Sequence, residues 1–337
     1  MRASHFIRGL YSATAALAMP SHARQGSSLP LPAKTIFQFP SPGHWAENIA
    51  VRENGNLLVT LLLPAAELWE IAAPYSAAPR AGLVYSFPNL TGLVGITETA
   101  PDTFVVAGSN LANVSDIRSA VWEVRFDGDQ ATPRKIADLS GTGVLNGVAA
   151  VPGCGKSEPS AVLVADSIKG RVYRVDTKMN SWETAISVPE MAPVRTVGIN
   201  GIKIREGYLY FDNSETTSFY KIKITSTGFA AEGASAELVA KVDGEPFLDD
   251  FSIGADGAIW AASNRGYTVR RINVSSGSSV VVAGSATSTT LLGDTATAFG
   301  RAESDQAILY VTTSGFNATN VPLEAGKIVA IDTSHFV

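Results

Sequence analysis

The 337-residue chain contains one cysteine, Cys154, and four histidines, His5, His22, His44 and His335. A lone cysteine excludes an internal disulfide, and a catalytic cysteine would need a histidine base beside it. His5 and His22 fall in the N-terminal leader and His335 at the C-terminal end, so a Ser-His-Asp or Cys-His device would have only His44 to use. Runs of 18 or more apolar residues are missing, which excludes a transmembrane helix. Blocks of basic residues are missing too. With 26 Lys and Arg against 31 Asp and Glu, the formal net charge is −5, and no surface for nucleic acid is expected. Helix-period stretches are nearly absent. The segment "GCGKS" (153–157) lacks the spaced glycines and following helix of a phosphate-binding loop and reads as a surface turn.

What is present is a chain that is 45% hydrophobic and 17% charged, with 30 glycines, long enough to bury a large core. The first 33 residues differ from the rest. Arg2 and Arg8 flank the start, "YSATAALAM" (11–19) is a short apolar run, and "SHA" (21–23) offers a small-x-small cleavage pattern. Residues 1–23 therefore read as a secretory signal peptide and residues 24–33 as a flexible leader. A mitochondrial presequence is the alternative, because no acidic residue precedes Glu47. Four Asn-x-Ser/Thr sequons, at Asn89, Asn113, Asn273 and Asn317, agree with secretion and glycosylation.

From residue 34 onward the chain repeats. Units begin near "ENIAVRENGNLLVT" (47–60), "VGITETAPDTFVVAG" (94–108), "NGVAAVPG" (146–153), "NGIKIREGYLYFDNS" (200–214), "DDFSIGADGAIWAAS" (249–263) and "TAFGRAESDQAILYVTT" (297–313). Their starts lie roughly 47 to 54 residues apart, the period of four-stranded propeller blades. Each unit carries short strands rich in Val, Ile, Tyr and Phe, separated by Gly, Pro, Asn and Asp. The expected fold is all-β: a six-bladed β-propeller of four-stranded antiparallel blades over residues 34–337. An N-terminal strand, "KTIFQF" (34–39), is expected to complete the last blade beside "GKIVAID" (326–332) and so avoid a free sheet edge.

The innermost strand of each blade starts at one mouth of the central channel. Glu47, Val94, Asn146, Asn200, Asp249 and Thr297 are thereby expected to form a ring. Taken singly, an Asn or Asp before a strand is a turn residue. Recurrence at one register makes the ring a candidate pocket. Its donors are oxygens only, a set suited to Ca²⁺ rather than to Zn²⁺.

These residues resemble the regucalcin/gluconolactonase-like superfamily of six-bladed propellers over about residues 34–334. The resemblance implies that Glu47, Asn200 and Asp249 hold a divalent cation and that Asn146 contacts substrate. The motif departs from the family pattern at Glu47-Asn48-Ile49 and at Leu248-Asp249-Asp250. The wording of "FQFPSPGHWAENIAVRENGNLLVT" and "GINGIKIREGYLYFDN" is similar to a secreted fungal branch that includes hetero-Diels–Alderases, which join a tropolone-derived quinone methide to a terpene alkene. That resemblance implies an enzyme acting on small molecules with no required cofactor. Glu47, Asn146 and Arg301 would be its catalytic groups, and Trp45, Asn48, Asn146, Phe247, Asp250 and Phe299 would line the substrate site. Blade-to-blade packing is the other reading of Trp45, Phe247 and Phe299. Two further functions stay open: a Ca²⁺-dependent lactonase or esterase, and a non-catalytic ligand-binding propeller.

Overall fold

The computed structural model describes residues 28–336 except Val114, residues 154–159 and His335. The expected signal peptide and the segment around Cys154 lie outside the described residues. Six four-stranded antiparallel sheets follow one another along the chain. Their innermost strands are Trp45–Val51, Gly92–Ala100, Leu145–Ala150, Ile199–Arg205, Phe251–Ile253 and Asp294–Phe299. These mark blades one to six. In the sixth blade Ala33–Gln38 pairs antiparallel with Lys327–Asp332, two strands out from Asp294–Phe299. The single helical element among the described residues is a 3₁₀ turn, Pro189–Met191.

The apolar pattern explains the layering. Second strands such as Ala161–Asp166 are buried at every position, so their sequences run apolar without alternation. A strand covered on both faces reads this way. Fourth strands such as Ser181–Ile186 are mostly exposed or half-buried, because one face meets water. The hydrophobic core is accordingly six seams, one between each pair of adjacent blades, rather than one central mass. No helix among the described residues is long and apolar enough to cross a membrane.

The Asn-Gly pairs that looked like turns ahead of the strands lie inside them. Leu145 pairs Asp166 and Val148 pairs Val164, so Asn146 and Gly147 occupy a β-bulge. Ile199 pairs Asn213 and Ile202 pairs Phe211, which places Asn200 and Gly201 in an equivalent bulge. Bulges also interrupt the inner strands of blades one, two and six. A bulge turns side chains out of the regular alternation, here towards the channel. Glycine follows the ring residue for a steric reason. A Cβ at Gly147 would stand 2.6 Å from the Asn200 carbonyl oxygen and 2.7 Å from the Ile202 nitrogen. At this level neighbouring inner strands touch backbone to backbone.

Candidate functional site

Register fixes which residues face one another at the channel mouth. The backbone N–H of Asn48 donates to Thr60 Oγ1 at 3.0 Å, that of Gly201 to Asp212 Oδ1 at 2.7 Å, and that of Ala296 to Thr312 Oγ1 at 3.1 Å. These three positions are equivalent, so the ring residue is the one before each: Glu47, Asn200 and Thr295. Thr297, expected in the ring, lies two residues further down its strand, where its hydroxyl donates to the Trp260 carbonyl.

At this first mouth the structure joins a cluster of buried polar side chains. Asn200 Nδ2 donates to Asp249 Oδ1 at 3.1 Å and to Ser214 Oγ at 2.9 Å. Asn264 Nδ2 donates to Asp249 Oδ2 at 2.9 Å. The Trp45 indole N–H donates to Glu47. Asp250 accepts from Asn48 Nδ2 at 2.7 Å and from Lys203 Nζ at 2.6 Å. It thereby ties blades one and four to its own blade. Asn146 is buried at the equivalent ring position of blade three. Trp45 packs on Phe316 at 4.9 Å between ring centroids, and Arg265 lies over Phe247 at 4.8 Å.

Two expected members belong elsewhere. Phe299 ends the strand that Asp294 begins, so it sits five residues, roughly 17 Å, from the first mouth. Arg301 follows it and donates to the Val51 carbonyl at 3.0 Å and to Glu98 at 2.5 Å. Arg301 therefore binds blade six to blades one and two at the second mouth, away from Glu47 and Asn146. Alternating inner strands carry residues from mouth to mouth, and a linear reading of "TAFGR" does not show where the channel has been crossed. Lys203 and Asn264 were not foreseen. The one visible signal for Lys203 was a charge inside the apolar run "GIKI". His44 bonds to Ser41 and stacks on Phe39 at 5.4 Å. Of the sequons, Asn89, Asn113 and Asn273 are exposed and Asn317 is half-buried.

The cluster holds more acid than base, and burial dominates its titration. Desolvation pushes the Glu47 carboxyl up to about 7. The Trp45 N–H opposes that rise and the Asp250 charge adds to it. Burial, then the Glu47 charge, holds Asp249 well above the ordinary carboxyl value. Burial, then Asp250, does the same for Asp212. The sign of the consequence follows. An unfolded glutamate ionises near 4.5, so between that value and about 7 the folded protein keeps a proton that the unfolded chain has lost. Glu47 thus contributes stability that is fully present below pH 4.5 and is lost as pH rises through about 7. The amount is on the order of 3 kcal/mol. Thermal unfolding should show a higher midpoint at pH 5 than at pH 8, and Glu47→Gln should reduce that difference, with Asp249 and Asp212 contributing the rest. A midpoint that rises with pH over this window would contradict the arrangement.

The residues also bear on a metal. Asn200 Oδ1 is buried and accepts from no group in the described structure. With Glu47 and Asp249 it completes a hard, oxygen-only donor set, which fits Ca²⁺ by type. Among the described residues no three His, Cys, Asp or Glu side chains group as metal ligands.

Comparisons with known proteins agree with this architecture. The chain is 32% identical over 320 residues to a protein of Phoma sp named "Putative hetero-Diels-Alderase", covering 85% of this chain and 88% of the other. It is 31% identical over 350 residues to "Putative hetero-Diels-Alderase asR5" of Sarocladium schorii, covering 91% and 85%. No protein-family profile matches. Among solved structures, the calcium-binding protein regucalcin of Agrobacterium tumefaciens superposes with a TM-score of 0.61 at 16% identity, covering 90% of this chain and 94% of that one. That likeness is one of fold.

Proposed function

The chain belongs to the hetero-Diels-Alderase family, and on that premise we propose that it joins a tropolone-derived quinone methide to a terpene alkene at the first mouth of the propeller. The family makes it an enzyme with a pericyclase-like role and small-molecule substrates. In the proposed reaction the C=C–C=O unit of the quinone methide adds across the alkene. One C–C and one C–O bond form, three π bonds become one, and no proton leaves or enters. Such a step needs little acid–base chemistry. It needs two partners held in near-attack geometry and a donor aimed at the oxygen on which charge accumulates.

The observation that carries this reading is the buried Glu47 carboxyl at the first mouth, which desolvation pushes up to about 7, with Asp249 raised in the same direction by burial. A neutral carboxylic acid donates a hydrogen bond, and in a water-poor site that bond strengthens as the carbonyl oxygen gains charge. The same mouth offers apolar surface for a terpene. Leu63, Ile168, Val194, Val321 and Leu323 are 39–67% exposed, and all lie on the hairpins and connections at this end. Asn146, Asn200 and Asn264 add amides that could orient a polar ring. Trp45 and Phe247 would pack against its faces.

A second reading is favoured by one specific observation, the unpartnered Asn200 Oδ1 beside Glu47 and Asp249. On that reading these three residues hold Ca²⁺, which when bound supplies a Lewis acid for lactone hydrolysis. Glu47 and Asp249 would then be ionised ligands rather than hydrogen-bond donors, with the neutral Asn200 amide beside them. The test pairs a quinone-methide precursor and a terpene with a simple aldonolactone, each with and without chelator. Chelator-insensitive formation of the cyclised ether supports the cycloaddition. Chelator-sensitive lactone opening without cyclised product overturns it.

A further inference from the structure

The second mouth carries a groove that the proposed reaction does not use. Three cavities of about 490, 460 and 440 Å³ share residues in turn. Arg271 and Asp256 join the first two, Ile253 and Phe299 the first and third, and Arg205 the last two. They run from the channel axis outward across blade five. Each is of the size that takes a small ligand, roughly 300–1,000 Å³.

The walls of the first cavity are aromatic. Trp260 meets Phe299 edge-on at 5.5 Å and Phe336 edge-on at 5.6 Å. The Arg271 guanidinium lies 5.9 Å from the Trp260 ring centre and 5.3 Å from that of Phe336, inside the range of a cation–π contact, about 6 Å. Arg271 Nη2 donates to Asp256 at 2.6 Å, while its Nε–H has no acceptor in the described structure. Four cations line the three cavities, Lys203, Arg205, Lys221 and Arg271, and each is paired with one carboxylate, in turn Asp250, Glu206, Glu237 and Asp256.

We propose that this groove is a second binding site, for a small planar aromatic anion. Its ring packs against the half-buried Phe299 and Phe336, which rest on Trp260, and its charged oxygen faces Arg271. Flat rings suit edge-on aromatic walls. A planar carboxylate or phenolate oxygen matches the planar fork of an arginine, whose unused N–H groups keep donor capacity beyond Asp256. Phe299, expected on the sequence to line the reaction pocket, belongs to this site instead.

Isothermal titration of the full chain with 2-naphthoate at pH 7 tests the assignment. Cyclohexanecarboxylate serves as an anion without a flat ring, and naphthalene-2-carboxamide as a flat ring without charge. Saturable 2-naphthoate binding is expected, with both controls weaker by roughly tenfold or more, since a charge-assisted bond is lost in one and ring stacking in the other. Arg271→Gln should weaken 2-naphthoate by a similar factor. Phe336→Leu, close to the chain end, and Lys221→Met, on the outer rim, should each weaken it less. They keep the test valid should Arg271→Gln lower the thermal midpoint. No saturable heat with 2-naphthoate, equal affinity for cyclohexanecarboxylate, or unchanged binding in the folded variants would overturn the proposal.

Discussion

Replacing Glu47 by alanine should lower turnover of the proposed cycloaddition by about 10²–10³-fold, the cost of removing one well-placed donor to a developing oxyanion. The loss should fall on kcat more than on KM, because the bond strengthens in the transition state. Glu47→Gln keeps shape and an N–H donor and should lose far less. The pH profile separates the roles further. On the proposed mechanism the neutral acid is the active form, so the rate should decline as pH rises through about 7, the value to which burial brings Glu47. The glutamine variant has no proton to lose there, and its profile should be flat. If Glu47 serves instead as a calcium ligand, every sign changes. Glu47→Gln becomes as damaging as Glu47→Ala, activity grows as the carboxyls ionise, and a chelator removes it. Single-turnover rates across pH 5–9 for the three proteins decide between them.

The blades and the first mouth were legible because their signals are local and repeated. Glu47, Asn146, Asn200 and Asp249 each precede an apolar run at a constant period, and a propeller turns that period into proximity. Two things escaped for physical reasons. The run Asp294-Thr295-Ala296-Thr297-Ala298 offers threonine at two alternate positions, so Thr297 stood in for Thr295. Contacts between side chains of different blades also have no sequence period. Asp250 meets Asn48 across 202 positions and Lys203 across 47. Arg301 reaches Glu98 across 203. The second mouth was invisible for that reason. Its groove is assembled from the far ends of strands and the C-terminal Phe336, none of which shares a motif.

Arg52→Met should destabilise the fold by about 3–5 kcal/mol, the usual cost of breaking a buried ion pair from one side. Arg52 directly follows the inner strand of blade one, and its side chain is 1% exposed. Its guanidinium donates to Glu70 at 2.6 Å, to both oxygens of Asp102 at 3.0 Å, and to the Gly128 carbonyl at 2.8 Å. It also lies 4.0 Å from the centre of the Phe126 ring. Methionine fills much of the volume and satisfies none of those acceptors. Glu70 and Asp102 are 17% and 30% exposed, so water recovers part of the loss and the lower end of the range is favoured. Asp102 sits at φ 51° in the turn of blade two, and its backbone N–H donates to Glu98, the partner of Arg301. Arg52 and Arg301 therefore close the second mouth across blades six, one and two as one network. Chemical denaturation should show the Arg52→Met midpoint falling with little change in slope. Arg52→Met combined with Arg301→Ala should lose a different amount from the sum of the single losses, because both act on the Glu98–Asp102 turn. Simple additivity would mean that the two arginines staple the blades independently, and a loss under about 1 kcal/mol for Arg52→Met would mean that the interblade apolar seams alone hold this mouth closed.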